Sequence, residues 1–184
     1  TDNPGYLRLT TDRVVDNIMF AHNSLTQRTY GPSCKSETKI SIGQMKPGDF
    51  AGLASVSNAP AMIGVMCDEN GDKYITQASS PSAVDKNNKP LTVETKINGQ
   101  APEKLSDDAE VYLKIEYSFS TNTNNDKANF FYSLDGTTWT KLGTEQKLGF
   151  DTATTFMGTR TWLFNYATKE AGGYVDFDYY KIYD

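Results

Sequence analysis

The sequence predicts an all-β fold, an antiparallel β-sandwich in which residues 1–184 form a single domain. Three observations support this prediction: short segments in which apolar and polar residues alternate, Gly, Asn and Asp residues between those segments, and an abundance of aromatic residues. Alternation with a period of two places the apolar side chains of a strand on one face. The 11 Tyr and 9 Phe residues suit the half-buried faces of strands. No segment sustains a helical pattern, and residues 12–20 come nearest to one.

Alternating segments occur along the whole chain and define the predicted strands. These strands are Leu7–Thr10, Lys39–Ile42, Phe50–Val56, Ala61–Met66, Tyr74–Gln77, Leu91–Ile97, Val111–Phe119, Phe130–Ser133, Trp139–Leu142, Thr161–Tyr166 and Tyr174–Tyr183. Tight turns are predicted at Asn70-Gly71, Asn98-Gly99 and Asp135-Gly136, because these residue types tolerate the positive φ that such turns require. We expect the last two strands to pair with each other. Small residues such as Gly52 predict a close approach of backbones or sheets.

The charge distribution excludes several classes of partner. The net charge is −5 and the 18 basic residues are scattered, whereas a protein that binds the phosphate backbone needs clustered Lys and Arg. We therefore expect no nucleic acid and no membrane as partners, and no stretch approaches the roughly 20 apolar residues of a membrane span. The chain opens with Thr1 and shows no signal peptide, as expected for a processed or excised domain.

Cys34, Cys67 and His22 offer little for metal or nucleophilic chemistry. Two thiols and one imidazole cannot form a closed tetrahedral zinc site without help from carboxylates. Two interpretations of the cysteines stay open: two buried or free thiols, and one disulfide. A Ser-His-Asp or Cys-His arrangement would have to use His22, whose Ala-His-Asn context is more typical of an exposed loop.

Asp176 and Asp178 are the best candidates for a catalytic pair of carboxylates. Residues two apart on a strand share a face, and glycosidases use two carboxylates across a cleft. Glycosidases of the laminarinase type on sandwich folds carry a Glu-x-Asp-x-x-Glu arrangement, and here Tyr180 and Lys181 stand in the region of the third carboxylate. We therefore favour a structural role, in which the carboxylates accept hydrogen bonds or Asp178 binds a structural calcium ion. No cofactor is required by this interpretation.

Two loops are predicted to be hairpin turns. Asp68–Asp72 is dense in oxygen ligands, but it lacks the twelve-residue calcium loop and its closing Glu. Ser133–Trp139 resembles the sialidase Asp-box, Ser-x-Asp-x-Gly-x-Thr-Trp, but lacks the residue between Asp and Gly. We expect a hairpin there, with Trp139 packed on the sheet.

Aromatic residues with polar neighbours are the remaining candidates for ligand contact. Trp162, Phe164 and Tyr166 alternate and share one face, with Asn165 on the other. Flat rings stack on the apolar faces of pyranose rings, while Arg and Asn side chains can form hydrogen bonds with hydroxyl groups. The predicted ligand contacts are Arg28, Tyr30, Trp162, Asn165 and Tyr166. The alternative is that Trp162 and Phe164 belong to the core, as alternating aromatic residues of sandwiches often do.

Six segments together resemble a known family. They are Pro4–Leu9, Leu25–Thr29, Gly48–Leu53, Phe131–Gly136 with Trp139, Leu163–Thr168 and Gly172–Tyr179. The chain resembles, nearly end to end, the C-terminal concanavalin-A-like β-sandwich (jelly roll) of glycoside hydrolase family 43 β-xylosidases and arabinofuranosidases.

The resemblance implies a secreted, non-catalytic module of a larger enzyme. In that family the module packs on a five-bladed catalytic propeller, can shape the rim of the active site and can bind xylan. The expected partners are xylan or arabinoxylan and a catalytic domain in the same parent chain. Two alternatives stay open: a purely structural module that braces the catalytic domain, and a glycan-active enzyme that uses Asp176 and Asp178.

Overall fold

The computed structural model describes residues 3–57, 59–80, 95–120, 125–149 and 158–184, and thirteen strands lie in these ranges. The strands are β1 (Leu7–Thr10), β2 (Leu25–Arg28), β3 (Ser33–Gln44), β4 (Asp49–Val56), β5 (Pro60–Cys67), β6 (Lys73–Ser79), β7 (Lys96–Gln100), β8 (Glu110–Ser118), β9 (Lys127–Ser133), β10 (Thr140–Lys141), β11 (Gln146–Lys147), β12 (Arg160–Ala167) and β13 (Tyr174–Tyr183). A 3₁₀ helix spans Ile18–Phe20. Within the same ranges, no helix has the length and the apolar character needed to cross a membrane.

Two antiparallel sheets confirm the predicted sandwich. The seven-stranded sheet has the order β1-β13-β3-β8-β9-β10, with β11 also paired to β9. The six-stranded sheet has the order β2-β12-β4-β5-β6-β7. The main core lies between the sheets, where residues such as Ile40, Leu53, Ile63, Leu113 and Phe130 are buried. Burial of apolar side chains from both inner faces is the principal stabilising contribution in such a sandwich.

The central strands of the six-stranded sheet are buried on both faces. The outer face of this sheet, which points away from the seven-stranded sheet, carries a second apolar cluster that includes Phe50, Met62, Phe164 and Tyr166. Ile18 is fully buried in that cluster, so residues 15–21, here called the covering segment, lie on the outer face. All eight residues of β4 are therefore buried, and its sequence lacks the strict alternation of a strand with one solvated face.

A pair of glycines brings β4 and β5 close together under this cluster. Gly52 and Gly64 lie directly opposite each other in the ladder. A Cβ atom on Gly52 would clash with the carbonyl oxygen of Ile63, and a Cβ atom on Gly64 with that of Ala51. The close approach predicted at Gly52 is thus confirmed.

Two predicted turns connect neighbouring strands as expected. At the β5–β6 turn, Asp68 Oδ1 accepts hydrogen bonds from the backbone N–H groups of Asn70 and Asp72 at 2.8 and 2.9 Å. At the β9–β10 turn, Asp135 Oδ1 accepts the backbone N–H groups of Thr137 and Thr138, both at 2.7 Å. These backbone hydrogen bonds hold the pKa of Asp135 well below its usual range.

Trp139 packs beside the seven-stranded sheet, as predicted. Lys114 Nζ, from β8, lies 4.4 Å from the centroid of the Trp139 ring and 5.0 Å from that of the Phe131 ring. A cation over an aromatic face is an attractive contact. The Ser133–Trp139 motif therefore serves as a hairpin.

Two details of the predicted strands and turns are wrong, and a third lies partly outside the described residues. Asn98-Gly99 lies inside β7, where Gln77 pairs with Gly99 and Ala78 with Ile97, so Asn98 is the extra residue of a β-bulge. The strand predicted at 91–97 lies partly outside the described residues, since these resume at residue 95. The last two strands do not pair, because β12 belongs to the six-stranded sheet and β13 to the seven-stranded sheet.

The cysteines are free. Cys34 lies on β3 and Cys67 on β5, in different sheets, and both are buried. Burial raises the pKa of both thiols. The interpretation as two buried thiols is therefore the one that the structure supports.

Candidate ligand-binding surface

Arg28 lies in an open cleft at one end of the six-stranded sheet. This Arg28 cleft has a volume of about 680 Å³. It is lined by Arg28, Thr29, Gly31, Phe119, Asp126, Lys147, Leu148, Gly149, Gly158 and Thr159. Arg28 and Lys147 are exposed, and Phe119 is half-buried. Hydrogen-bond donors, a carboxylate and apolar surface thus meet in one concave site.

Hydrogen bonds to backbone carbonyl groups connect the walls of the cleft. Thr29 Oγ1 donates to the carbonyl oxygen of Thr159 at 2.7 Å, which ties the end of β2 to the start of β12. On the other wall, the backbone N–H of Leu148 donates to the carbonyl oxygen of Asp126 at 2.8 Å. The Phe119 ring stacks on Tyr117, with centroids 6.1 Å apart and the planes nearly parallel. These contacts connect the described parts of the cleft wall to both sheets.

Tyr166 lies in a second cleft, of about 610 Å³, at the opposite end of β12. Its ring is 3% exposed, and burial raises the pKa of its hydroxyl to about 12. Phe50 packs against it with ring centroids 6.0 Å apart. Lys169 and Glu69 form an ion pair among the residues that line the cleft. Tyr166 therefore contributes to an apolar wall and offers little ring surface for stacking.

Trp162 and Phe164 share the face of Tyr166, as predicted. That face is the one under the covering segment, so Phe164 is fully buried and Trp162 half-buried. Phe164 packs edge-to-face on Phe50, with centroids 5.2 Å apart and planes at 88°. The alternative interpretation of a core stripe is thus the correct one for Phe164.

Asn165 is a scaffold residue. Its side chain is 0% exposed, and its Nδ2 donates to the carbonyl oxygen of Leu9 at 2.8 Å, which links β12 to β1 across the two sheets. No surface ligand can reach a side chain in this position. The structure removes Asn165 from the predicted ligand contacts.

Tyr30 is exposed but lies outside the lining of both large clefts. Its side chain is 41% exposed. Desolvation and the carboxylate of Asp184 raise the pKa of its hydroxyl. Of the five predicted contacts, only Arg28 therefore combines an exposed side chain with a concave site.

The two candidate catalytic carboxylates are held in ion pairs. Asp176 accepts two hydrogen bonds from Arg8, both at 2.8 Å, and one from Asn3 at 2.9 Å. The Arg8 guanidinium lowers the pKa of Asp176. The structural role predicted for Asp176, with hydrogen bonds from the N-terminal strand, is confirmed.

Asp178 has a cationic partner instead of a cluster of metal ligands. Its Oδ2 lies 3.2 Å from Lys39 Nζ, and the same amine lies 2.7 Å from Glu110. Among the residues that the structure describes, no group of three or more His, Cys, Asp or Glu side chains could hold a metal ion. Asp178 thus lies in an ion pair with Lys39, and a structural calcium ion stays a prediction.

Sequence reasoning missed most of the Arg28 cleft. Phe119, Asp126 and Lys147 come from connections and short strands on the other side of the domain. β2 itself is short and fully exposed, without the alternation that reveals a strand. No signal in the sequence brings these residues together.

A family model matches the chain almost completely. Residues 1–183 match the model described as the beta-xylosidase C-terminal concanavalin A-like domain. The chain belongs to this family. It is thus a GH43 C-terminal domain, and the predicted fold class is confirmed at the level of the family.

Similar proteins carry the GH43 C-terminal domain inside much longer chains. A bifunctional GH43-CE protein of Bacteroides eggerthii is 40% identical over 100% of this chain and 22% of its own, with a TM-score of 0.85. A GH43 glycoside hydrolase engineered to display endo-xylanase and exo-arabinofuranosidase activity is 26% identical over 97% of this chain and 34% of its own, with a TM-score of 0.86. A beta-xylosidase of Formosa agariphila is 25% identical over 98% of this chain and 30% of its own. The chain thus spans about a third or less of these relatives.

Proposed function

We propose that this domain is a non-catalytic accessory module of a secreted glycoside hydrolase, and that it binds xylan or arabinoxylan through the Arg28 cleft. Its family and the names of its relatives, a beta-xylosidase and a xylan- and arabinose-active enzyme, support this class of polysaccharide. The proposed partners are the polysaccharide and a catalytic domain in the same parent chain.

The Arg28 cleft is the observation that carries the proposal. Arg28 and Lys147 supply donors for sugar hydroxyl groups, Asp126 supplies an acceptor, and the half-buried Phe119 supplies apolar surface. Concave sites that combine apolar walls with a few convergent polar groups are the usual form of ligand sites. Arg28 is also the one residue predicted from the sequence that the structure leaves exposed in such a site.

Bond cleavage is assigned to another part of the parent enzyme. The carboxylates of Asp176 and Asp178 are engaged by Arg8 and Lys39, whereas a glycosidase needs one carboxyl group as acid and a second as base or nucleophile. A panel of xylans incubated with the chain should release no reducing sugar, and release that is lost in Asp178→Asn would reverse this assignment.

Affinity electrophoresis tests the binding site. Wild-type chain should be retarded in gels that contain arabinoxylan or xylan, and Arg28→Ala should lose most of that retardation. Arg13→Ala is a matched control, because Arg13 is exposed, pairs with Asp12 and does not line the cleft. Equal retardation of wild type and Arg28→Ala would show that the polysaccharide binds elsewhere.

A structural brace for the catalytic domain is the second candidate function. The burial of Phe164 and Tyr166 under the covering segment favours it, because it removes the aromatic surface that would stack on sugars. Under this hypothesis no polysaccharide retards the chain. The parent enzyme should then lose thermal stability when the domain is deleted, while its KM for short substrates stays unchanged.

A further inference from the structure

Five hydroxyl groups, here called the hydroxyl cluster, meet between the two sheets, inside a core that is mainly apolar. The seven-stranded sheet contributes Ser36 from β3, Tyr117 from β8 and Tyr180 from β13, and the six-stranded sheet contributes Ser55 from β4 and Thr161 from β12. The two serines and Thr161 are at most 1% exposed, and Tyr117 is 3% exposed. Polar groups buried to this extent normally form hydrogen bonds.

Strand pairing and ring stacking fix the positions of these side chains. Ser55 and Thr161 are directly opposite each other in the β4–β12 ladder. Thr161 Oγ1 donates to Ser36 Oγ at 3.0 Å, a hydrogen bond that crosses from one sheet to the other. The Tyr117 ring stacks on Phe119 with nearly parallel planes, so its phenolic oxygen cannot move far without displacing both rings.

Three members of the hydroxyl cluster form no hydrogen bond within the described part of the chain. They are the hydroxyl groups of Ser55, Tyr117 and Tyr180, and all three oxygen atoms are buried. A hydroxyl group that is buried without a hydrogen bond destabilises the folded state, because it loses the bonds that it forms with water in the unfolded chain. A small donor and acceptor placed among the three groups would restore those bonds.

The three groups lie beside the hydrogen-bonded pair. Burial raises the pKa of Tyr117, and neighbouring hydroxyl groups oppose that rise, namely those of Thr161, Ser55 and Ser36. Burial raises the pKa of Tyr180 to about 12, and the Thr161 hydroxyl opposes that rise as well. The five groups therefore face one another in a single region, where the contact from Thr161 to Ser36 is the one direct hydrogen bond among these five described residues.

We infer that the hydroxyl cluster binds a buried water molecule that joins the two sheets. A buried water molecule typically makes about three hydrogen bonds to polar groups that otherwise have none. Serine, threonine and tyrosine hydroxyl groups can each donate and accept, so one water molecule can serve Tyr117 and Ser55 together with Thr161. The hydrogen bond from Thr161 to Ser36 would thereby become part of a larger network between the sheets.

A neutral ligand fits the hydroxyl cluster better than a cation. All five groups are uncharged, and no group of three or more His, Cys, Asp or Glu side chains among the described residues could hold a metal ion. An unpaired charge in a buried site of this kind would be strongly destabilising. The competing arrangement is a ring of direct hydrogen bonds, which would require Tyr117 to move away from its stacking contact with Phe119.

Crystallography and ¹⁷O magnetic relaxation dispersion test the inference on the wild-type chain. A crystal structure at about 1.5 Å resolution should show an ordered oxygen atom within about 3.2 Å of Tyr117 Oη and of two other hydroxyl groups of the cluster. Relaxation dispersion detects water molecules that stay inside a protein in solution, and its amplitude should include this one. Direct hydrogen bonds among the hydroxyl groups, with no such oxygen atom between them, would overturn the inference.

Two substitutions that preserve the shape of the side chain locate the water molecule. In the double variant Tyr117→Phe with Thr161→Val, the dispersion amplitude should fall by the contribution of about one buried water molecule. Thr38→Val is the matched control, because Thr38 is also fully buried but its Oγ1 donates to the carbonyl oxygen of Tyr179 at 2.5 Å. The control should leave the amplitude unchanged.

The result does not depend on the proposed polysaccharide site. An amplitude that is equal in the wild type and the folded double variant would place the long-lived water molecules elsewhere and overturn the inference. If the double variant does not fold, the crystal structure of the wild type decides the question, since the oxygen atom is either present among the hydroxyl groups or replaced by direct hydrogen bonds.

Discussion

Asp49 carries a buried carboxyl group whose own contribution to the free energy of unfolding should fall as the pH rises from 4.5 to neutral. It is the first residue of β4 and is fully buried. Its Oδ2 accepts the backbone N–H of Lys46 at 2.8 Å, while its Oδ1 is buried with no hydrogen-bond partner in the described part of the chain. Burial raises the pKa of Asp49 to about 6, and the nearby Glu170 carboxylate adds to the shift while Lys46 opposes it.

The sign and the size of the effect follow from the two pKa values. In the unfolded chain the Asp49 carboxyl has an ordinary pKa near 3.8. Between pH 4 and pH 6 the folded protein holds the proton and the unfolded chain has released it, so stability falls as pH rises. A shift of about two pKa units corresponds to about 3 kcal/mol, at about 1.4 kcal/mol per unit. The loss continues through the folded pKa and levels off at about pH 7, one unit above it.

Asp49→Asn isolates this contribution. The amide keeps the shape of the side chain and an acceptor for the Lys46 N–H, but it does not titrate. Urea unfolding from pH 4.5 to pH 8 gives the free energy of unfolding for both proteins. The variant should gain about 2 kcal/mol relative to wild type between pH 4.5 and pH 7, and the difference should then stay flat.

Asp176→Asn provides the matched control, because it is another buried carboxyl-to-amide change. Arg8 lowers the pKa of Asp176, so the difference between wild type and this variant should be constant from pH 5 to pH 8. A difference curve for Asp49→Asn that is equally flat, or that slopes in the opposite direction, would refute the assignment of a raised pKa to Asp49.

Two further predictions concern the covering segment and the cysteines. Ile18→Ala should lower the free energy of unfolding by about 3 kcal/mol, because Ile18 is fully buried. Val14→Ala, at a residue that is 49% exposed, should lower it by less than about 1 kcal/mol. Equal losses for the two variants in urea unfolding would contradict the role of Ile18. Cys34 and Cys67 should not react with Ellman's reagent in the native protein and should give two thiols per chain in guanidinium, with or without prior reduction; a value that rises after reduction would show a disulfide.

Local patterns in the sequence predicted the strands and hairpins well. The Asp68–Asp72 and Ser133–Trp139 turns depend on side-chain and backbone hydrogen bonds between residues that are close in the chain, so the sequence alone contains their cause. The predicted pairing of β12 with β13 was wrong, because pairing depends on the path of the chain between the strands and not on local pattern. Adjacent strands often pair, but here the connection after Ala167 passes from one sheet to the other.

The candidate site depends on long-range register, which the sequence does not reveal. Arg28 lies in the same cleft as Gly158 and Thr159 because the edge strand β2 pairs with β12, from a distant part of the chain, at one offset. A shift by one residue would turn the Arg28 side chain to the opposite face. Alternation correctly placed Trp162 and Tyr166 on one face. Alternation could not distinguish a solvent-exposed face from a face that a distant segment covers, because the side chains of a strand alternate with a period of two in both cases.

The covering segment determines where this domain can evolve or be engineered to bind a ligand. The broad face of the six-stranded sheet is occupied by the chain itself, through Ile18 and its neighbours, so loops at its margins can vary while that face stays closed. Replacing residues 15–21 with a short Gly-Ser linker would expose the aromatic rings of Phe50, Phe164 and Tyr166 on the outer face. The same change would remove the apolar contact of Ile18 with the outer face. It would expose an apolar surface that a polysaccharide, or another copy of the chain, could occupy.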